Sequence, residues 1–226
     1  MKIEIDKVYN IDCINLMREM GKKGIYADLL LTDIPYDVVN RKDNGLRCLD
    51  KGNADIETFN LDEFLELAEK CVKGNYVIFC ATEQLSKIRK FFADKGYTTR
   101  LIIWEKTNPS PMNGQYTYLS GVECAVYAKK KKATFNAFCK NTVFRYPCGQ
   151  KKYHPTQKPI ALFEQFILDL TNENDVVLDT CMGSFTTACA CVKLNRHFIG
   201  AELDKGYYAL GVKRLEQMHP NILSVI

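Results

Sequence analysis

Two short segments carry residue types that can do chemistry. Thr32-Asp33-Ile34-Pro35-Tyr36 places a carboxylate, a rigid turn and an aromatic ring within five residues. A carboxylate accepts hydrogen bonds from an amine. An amine whose lone pair is delocalised into a ring needs such an acceptor before it can act as a nucleophile. The main-chain carbonyl of Ile34 is a second acceptor, and the Tyr36 ring offers a flat face for stacking. The other segment, Val176-Val177-Leu178-Asp179-Thr180-Cys181-Met182-Gly183-Ser184, reads as a strand, an acidic end and a glycine turn. Glycine lets backbone approach a ligand, and the helix that follows from Thr186 offers its N-terminus to negative charge such as a carboxylate. Glu202 stands 23 residues after Asp179, at the end of the run Phe198-Ile199-Gly200. An acid at about this spacing holds ribose hydroxyls in nucleotide-binding folds. Taken singly, each segment also fits an ordinary strand end; together they point to a site.

The elements that must position these residues alternate between strand and helix. Ile3-Glu4-Ile5 reads as a first short strand, and Cys13 to Met20 as a helix ended by Gly21. Asp12 fits its N-cap. Ala27 to Thr32 and Tyr76 to Cys80 are apolar runs suited to buried parallel strands. Leu61, Phe64, Leu65, Ala68 and Val72 fall on one helix face, and Leu85 to Ala93 forms another helix stopped by Lys95-Gly96. Leu101 to Trp104 and Val122 to Tyr127 are further strands. Ile160 to Leu170 is a helix, and Val176 to Leu178 and Phe198 to Gly200 are strands with helices after each. This is an α/β pattern, read as one domain over residues 1–226. Residues 37–60, 106–120 and 129–153 resist assignment. Loops that long usually carry function.

Composition narrows the partners. No run approaches the roughly 18 apolar residues of a membrane span, and the N-terminus lacks the apolar core of a signal peptide. The ten cysteines show no C-x-x-C spacing, which argues for reduced thiols in a cytoplasm and against a zinc site. Net charge is +4. Lys129-Lys130-Lys131-Lys132, with Lys140, Arg145, Lys151, Lys152 and Lys158 beyond it, interleaves with Phe135, Phe138, Phe144, Tyr146 and Tyr153. That pattern fits a nucleic-acid surface as well as it fits a solvated loop.

His154-Pro155-Thr156-Gln157-Lys158-Pro159 reads locally as an extended approach to a helix. With the two segments above, in this order, it resembles the DNA amino-methyltransferases, which methylate the exocyclic amine of adenine or cytosine. The string is highly specific for that group. A catalytic motif that precedes the cofactor loop is the circularly permuted order often called β. The group's catalytic pattern is Asp/Asn/Ser-Pro-Pro-Tyr, and Ile34 replaces its first proline. Its loop carries glycine-serine-glycine. Here Phe185 stands at the second glycine, and Thr180-Cys181 replaces a proline-phenylalanine pair.

The resemblance implies a Rossmann-like S-adenosylmethionine-dependent methyltransferase fold: a mostly parallel seven-stranded sheet with helices on both faces. Asp33, Ile34, Pro35 and Tyr36 would be catalytic. Asp12, Cys13, Asp33, Lys158, Asp179, Gly183, Ser184 and Glu202 would hold S-adenosylmethionine, with Asp12 at the adenine amine and Lys158 at the methionine carboxylate. Lys106, Asn108, Lys129, Lys130, Lys131 and Arg145 would contact double-stranded DNA, with residues 37–60 and 129–153 as recognition insertions. The segment Trp104 to Pro111 resembles one that lies near the flipped base. No metal is implied. Asp at the first motif position points to adenine N6, with cytosine N4 as the alternative. The bacterial and phage members are small, and the resemblance admits a homodimer or a restriction-enzyme partner without setting either. From a different class comes a DNA-binding protein that has lost catalysis because Phe185 fills the loop. Methylation of RNA or of a protein glutamine is a further alternative.

Overall fold

Buried apolar runs and amphipathic segments take turns along the chain, and in the computed structural model they become one sheet with helices packed against it. The structure describes residues 2–36, 59–111, 114–149 and 157–218. The strands are β1 (Lys7–Tyr9), β2 (Ala27–Asp33), β3 (Val72–Cys80), β4 (Thr98–Lys106), β5 (Val122–Lys129), β6 (Val143–Tyr146), β7 (Val176–Asp179) and β8 (His197–Ala201). The helices are α1 (Cys13–Lys23), α2 (Leu61–Cys71), α3 (Thr82–Asp94), α4 (Ile160–Leu170), α5 (Thr186–Lys193) and α6 (Lys205–Met218).

Strand order is β1-β8-β7-β2-β3-β5-β4-β6. Only β5 runs against its neighbours. One face of the sheet is covered by α1, α2 and α3, through residues such as Met17, Phe64 and Phe92. The other face is covered by α4, α5 and α6, through Phe163, Phe166, Cys189 and Leu215. The chain leaves β2 toward β3 over the first face and leaves β7 toward β8 over the second. The β7/β2 boundary is therefore the topological switch point, where open α/β sheets leave a crevice at the carboxyl ends of their strands.

Three details differ from the sequence reading. The first strand is Lys7–Tyr9, after the expected Ile3–Ile5. Asp6 takes a left-handed conformation and accepts from the Phe198 amide at 3.1 Å, which starts the pairing with β8 at Lys7. Helix α1 runs through Gly21 to Lys23 and ends at Gly24, whose φ of 62° suits a left-handed cap. Among the described residues the sheet has eight strands where seven were expected. The extra one, β6, lies within the 129–153 segment read as a loop, and only pairing with β4 reveals it. The Trp104 indole fastens it by donating to the Tyr146 carbonyl at 2.8 Å.

The β2/β3 pair that carries the catalytic strand end depends on Gly74. A Cβ there would sit 2.1 Å from the Asp28 carbonyl oxygen, beside a register shift between Ala27 and Leu29. Backbone would have to move to admit it. A Gly74→Ala variant is expected to lose about 2 kcal/mol or more of stability, measured by chemical denaturation.

Candidate active site

Strand β2 delivers Asp33 to the carboxyl edge of the sheet at the switch point, opposite Phe79 of β3. The Ile34 amide continues the ladder by donating to the Phe79 carbonyl at 3.1 Å, a bond that proline could not make. The Tyr36 hydroxyl donates to Asp33 Oδ1 at 3.0 Å. Burial, with the Asp33 charge adding to it, raises the Tyr36 phenol far above its ordinary range, so it remains a donor. Gln84, buried at the start of α3, donates to the Pro35 carbonyl at 3.1 Å and accepts from the Ala81 amide at 3.0 Å. That residue pins the catalytic turn to the end of β3. The sequence reading missed it: with alanine at the N-cap, no Ser/Thr-x-x-Gln pattern marks the glutamine.

Lys158 enters from the segment before α4. Its side chain is only 4% exposed. Nζ pairs with Asp33 Oδ2 and with Glu123 Oε2, the latter at 3.0 Å, and lies 5.3 Å from the Phe79 ring centroid. Glu123 Oε1 in turn pairs with Lys106 at 2.8 Å. Charges alternate along this line: Asp33, Lys158, Glu123, Lys106. Burial alone pulls the Lys158 ammonium down, but Asp33, then Tyr36 and Glu123, reverse this and hold it protonated. Burial pushes Glu123 up, and Lys158 followed by Lys106 brings it below its usual range. Glu123 was not among the expected site residues. Its signal was a carboxylate at the head of the apolar run Cys124 to Tyr127, where an acid needs a partner.

Across the crevice, Thr32 and Thr180 share a hydrogen bond of 3.1 Å, joining the catalytic strand to the glycine loop. Asp179 closes that loop from below, accepting from the Cys181 amide at 3.1 Å and from the Thr187 hydroxyl. Glu202 accepts from the Gly183 amide at 2.6 Å and the Asp204 amide at 2.8 Å, and its own amide donates to the Tyr9 carbonyl at 3.0 Å. The ends of β1, β7 and β8 are thus tied together. Asp12 caps α1 through a 3.1 Å bond from the Asn15 amide. The Cys13 and Cys181 thiols meet, and their hydrogen bond and burial raise the Cys181 thiol well above its usual range. Asp12 and Cys13 therefore stand beside the loop. The donor set fits S-adenosylmethionine: carboxylates at strand ends for an amine and hydroxyls, and a glycine turn with a helix N-terminus for a carboxylate.

Phe185 settles into the core. It takes a left-handed conformation with φ of 61°, the conformation for which glycine is normally chosen, and its ring is 1% exposed. The ring packs against Tyr208, with centroids 5.8 Å apart, and over Gly211, where a Cβ would meet it at 2.2 Å. It faces α6 and leaves the ligand side of the loop clear.

The expected DNA contacts divide between two edges. Arg145, largely exposed on β6 and bonded to Glu105 at 3.0 Å, lies toward the catalytic edge. Asn108 lies there too, but it clips the loop to Cys148 by accepting from its amide at 2.6 Å. Lys106 is bound into the charge line and lies 5.4 Å from the Trp104 ring centroid. Lys129, Lys130 and Lys131 sit at the edge of the sheet opposite Asp33. Because β5 is antiparallel, its last residue pairs with Asn75 near the start of β3. Lys130 is also committed to the Val72 carbonyl at 2.6 Å. His154, Pro155 and Thr156, like residues 37–58, lie outside the described residues.

Burial raises the Asp179 carboxyl from 3.8 to about 6. The folded state thus binds the proton more tightly than the unfolded chain. The stabilisation is full below 3.8 and is lost as pH rises through about 6. The difference corresponds to about 3 kcal/mol. Denaturation measured across this window is expected to show that decline, and Asp179→Asn is expected to flatten it. Phe185→Gly is expected to cost about 3 kcal/mol through the lost ring. Cofactor titration of that variant is expected to show no tighter binding than in the unaltered chain.

Comparison with known proteins converges on one group. The family model described as a DNA methylase matches residues 139–213. The crystal structure of the M1.HpyAVI-SAM complex is 34% identical, covers 92% of this chain and 99% of that one, and superposes with a TM-score of 0.75. Type II methyltransferase M2.MboI of Moraxella bovis is 26% identical over 95% of this chain and 90% of its own length. DNA adenine methyltransferase YhdJ of Escherichia coli (strain K12) is 43% identical over a 72-residue stretch, 32% of this chain and 24% of that protein. A carboxylate turn and a glycine loop facing each other at the switch point, in a sequence this close to M1.HpyAVI over its full length, make the chain a member of the N6/N4 DNA methylase family.

Proposed function

We propose that this chain transfers the methyl group of S-adenosylmethionine to the N6 amine of an adenine flipped out of duplex DNA. The observation that carries the reading is Asp33, held by Tyr36 and Lys158 at the end of β2 and joined through the 3.1 Å Thr32–Thr180 bond to the loop after β7. Acceptor and cofactor loop lie on adjacent strands at one edge.

S-adenosylmethionine, when bound, supplies an electrophilic methyl group on a sulfonium. The residues do the rest. A base within a duplex is out of reach, so the target must leave the stack, and the Tyr36 ring provides a face for it. The amine N–H groups donate to the Asp33 carboxylate and to the Ile34 carbonyl. These bonds draw the nitrogen lone pair out of ring conjugation and aim it. Fixing both reactants in line removes much of the entropic barrier. Lys158 balances the Asp33 charge without competing as an acceptor, since an ammonium only donates. Glu202 and Asp12 are the groups on this chain for the ribose hydroxyls and the adenine amine of the cofactor.

Adenine is favoured over cytosine by Asp33 at the first motif position and by the 43% identity of one stretch to a protein named as a DNA adenine methyltransferase. The Type II naming of the Moraxella bovis relative supports a partnership with a restriction enzyme. The test is methyl transfer from labelled S-adenosylmethionine to mixed-sequence duplex DNA, followed by nucleoside mass spectrometry. N6-methyladenine is the expected product, and N4-methylcytosine would move the reading to the other base. Asp33→Ala is expected to lower transfer at least ~100-fold while the cofactor still binds. Full activity in that variant would overturn the mechanism.

A further inference from the structure

The buried arginine behind the cofactor loop is not used by the chemistry above. Arg214 lies on α6 and is 7% exposed. Its Nη1 donates to the Ser184 carbonyl at 2.7 Å, to Ser184 Oγ at 3.2 Å and to Thr186 Oγ1 at 3.1 Å. These bonds bracket Phe185, whose ring is held by Gly211 and Tyr208 of the same helix. One helix, arriving after the loop in sequence, therefore fixes the loop's shape from behind.

The charge is in an unusual place. Ser184 to Thr186 is where α5 begins, and the start of a helix is the positive end of its dipole. A guanidinium there opposes the dipole and costs helix stability. An acid would stabilise that position, yet the first turn of α5 has none. The Arg214 bonds hold Ser184 and Thr186 at the start of α5, where the helix dipole favours a negatively charged ligand group.

We propose that Arg214 is a positioning residue that sets the loop's affinity for the carboxylate end of the cofactor. This rests on the S-adenosylmethionine reading. It acts through Ser184 and Thr186, by geometry, from the opposite side of the loop. The remainder of the cofactor, its nucleoside, would meet Glu202 after β8 and Asp12 at the head of α1, away from the groups that Arg214 holds.

Two probes separate these ends. S-adenosylhomocysteine carries the amino-acid carboxylate, whereas 5′-methylthioadenosine keeps the nucleoside and the thioether without it. Calorimetric titration of the full chain is expected to show S-adenosylhomocysteine binding weakened about tenfold in Arg214→Gln, with 5′-methylthioadenosine little changed. Arg214→Lys, which keeps the charge, is expected to restore most of the loss. Equal weakening of both probes would reduce Arg214 to a structural role, and no weakening of either would remove the role altogether. Both outcomes overturn the proposal. Should Arg214→Gln fail to fold, Thr186→Val removes one acceptor and leaves the charge, and the same difference between the two probes decides. If the unaltered chain binds neither S-adenosylmethionine nor these probes, the cofactor reading itself fails, a result separate from any effect of the variants.

Discussion

Everything at the catalytic edge depends on a buried ammonium between two carboxylates. Lys158 is almost wholly withdrawn from water, where an unpaired charge would cost several kcal/mol. Asp33 and Glu123 compensate for it, and Lys106 compensates in turn for Glu123. The line links β2, β5, β4 and the segment ahead of α4, four pieces that are far apart in the chain. An interior charge cannot drift without losing its partners, so the line fixes where Asp33 points. Tyr36 and Gln84 then fix the turn that follows it. Preorganisation of this kind matters because the reaction asks little of the protein besides position.

The cofactor side is built on a different principle. On its ligand side the loop is tied by backbone amides meeting buried carboxylates: Gly183 on Glu202, Cys181 on Asp179. Amide donors have no side-chain freedom to lose, which suits a surface that must match one ligand. Phe185 shows how far such a loop tolerates change. What the position requires is a left-handed backbone, and a large residue can adopt it when its ring has somewhere to go. Gly211 leaves that space on α6.

The distribution of positive charge has a geometric cause. A lysine run is conspicuous in sequence, yet which edge of a sheet it reaches depends on strand direction. The antiparallel β5 carries Lys129 and Lys130 away from Asp33, while the parallel β4 and β6 bring Lys106 and Arg145 toward it. Of these, Arg145 is the more exposed.

The sequence by itself determined the α/β alternation, the strand end bearing Asp33, the glycine loop after Asp179 and the acid at 202. Each is a local pattern, legible because apolar runs, capping residues and short motifs are encoded over a few neighbouring positions. It misjudged β1 by four residues, counted one strand too few, and gave Lys158 a ligand contact without seeing its partners. It missed Glu123, Gln84 and Arg214. Those belong to tertiary structure for one reason. The exposed edge strand β6 has no period that marks it until β4 lies alongside, and a buried charge has no meaning until its counter-charge arrives from elsewhere in the chain. Pairings such as Lys158 with Glu123 or Arg214 with Ser184 cross 30 residues or more, and only the packed sheet and its helices decide them.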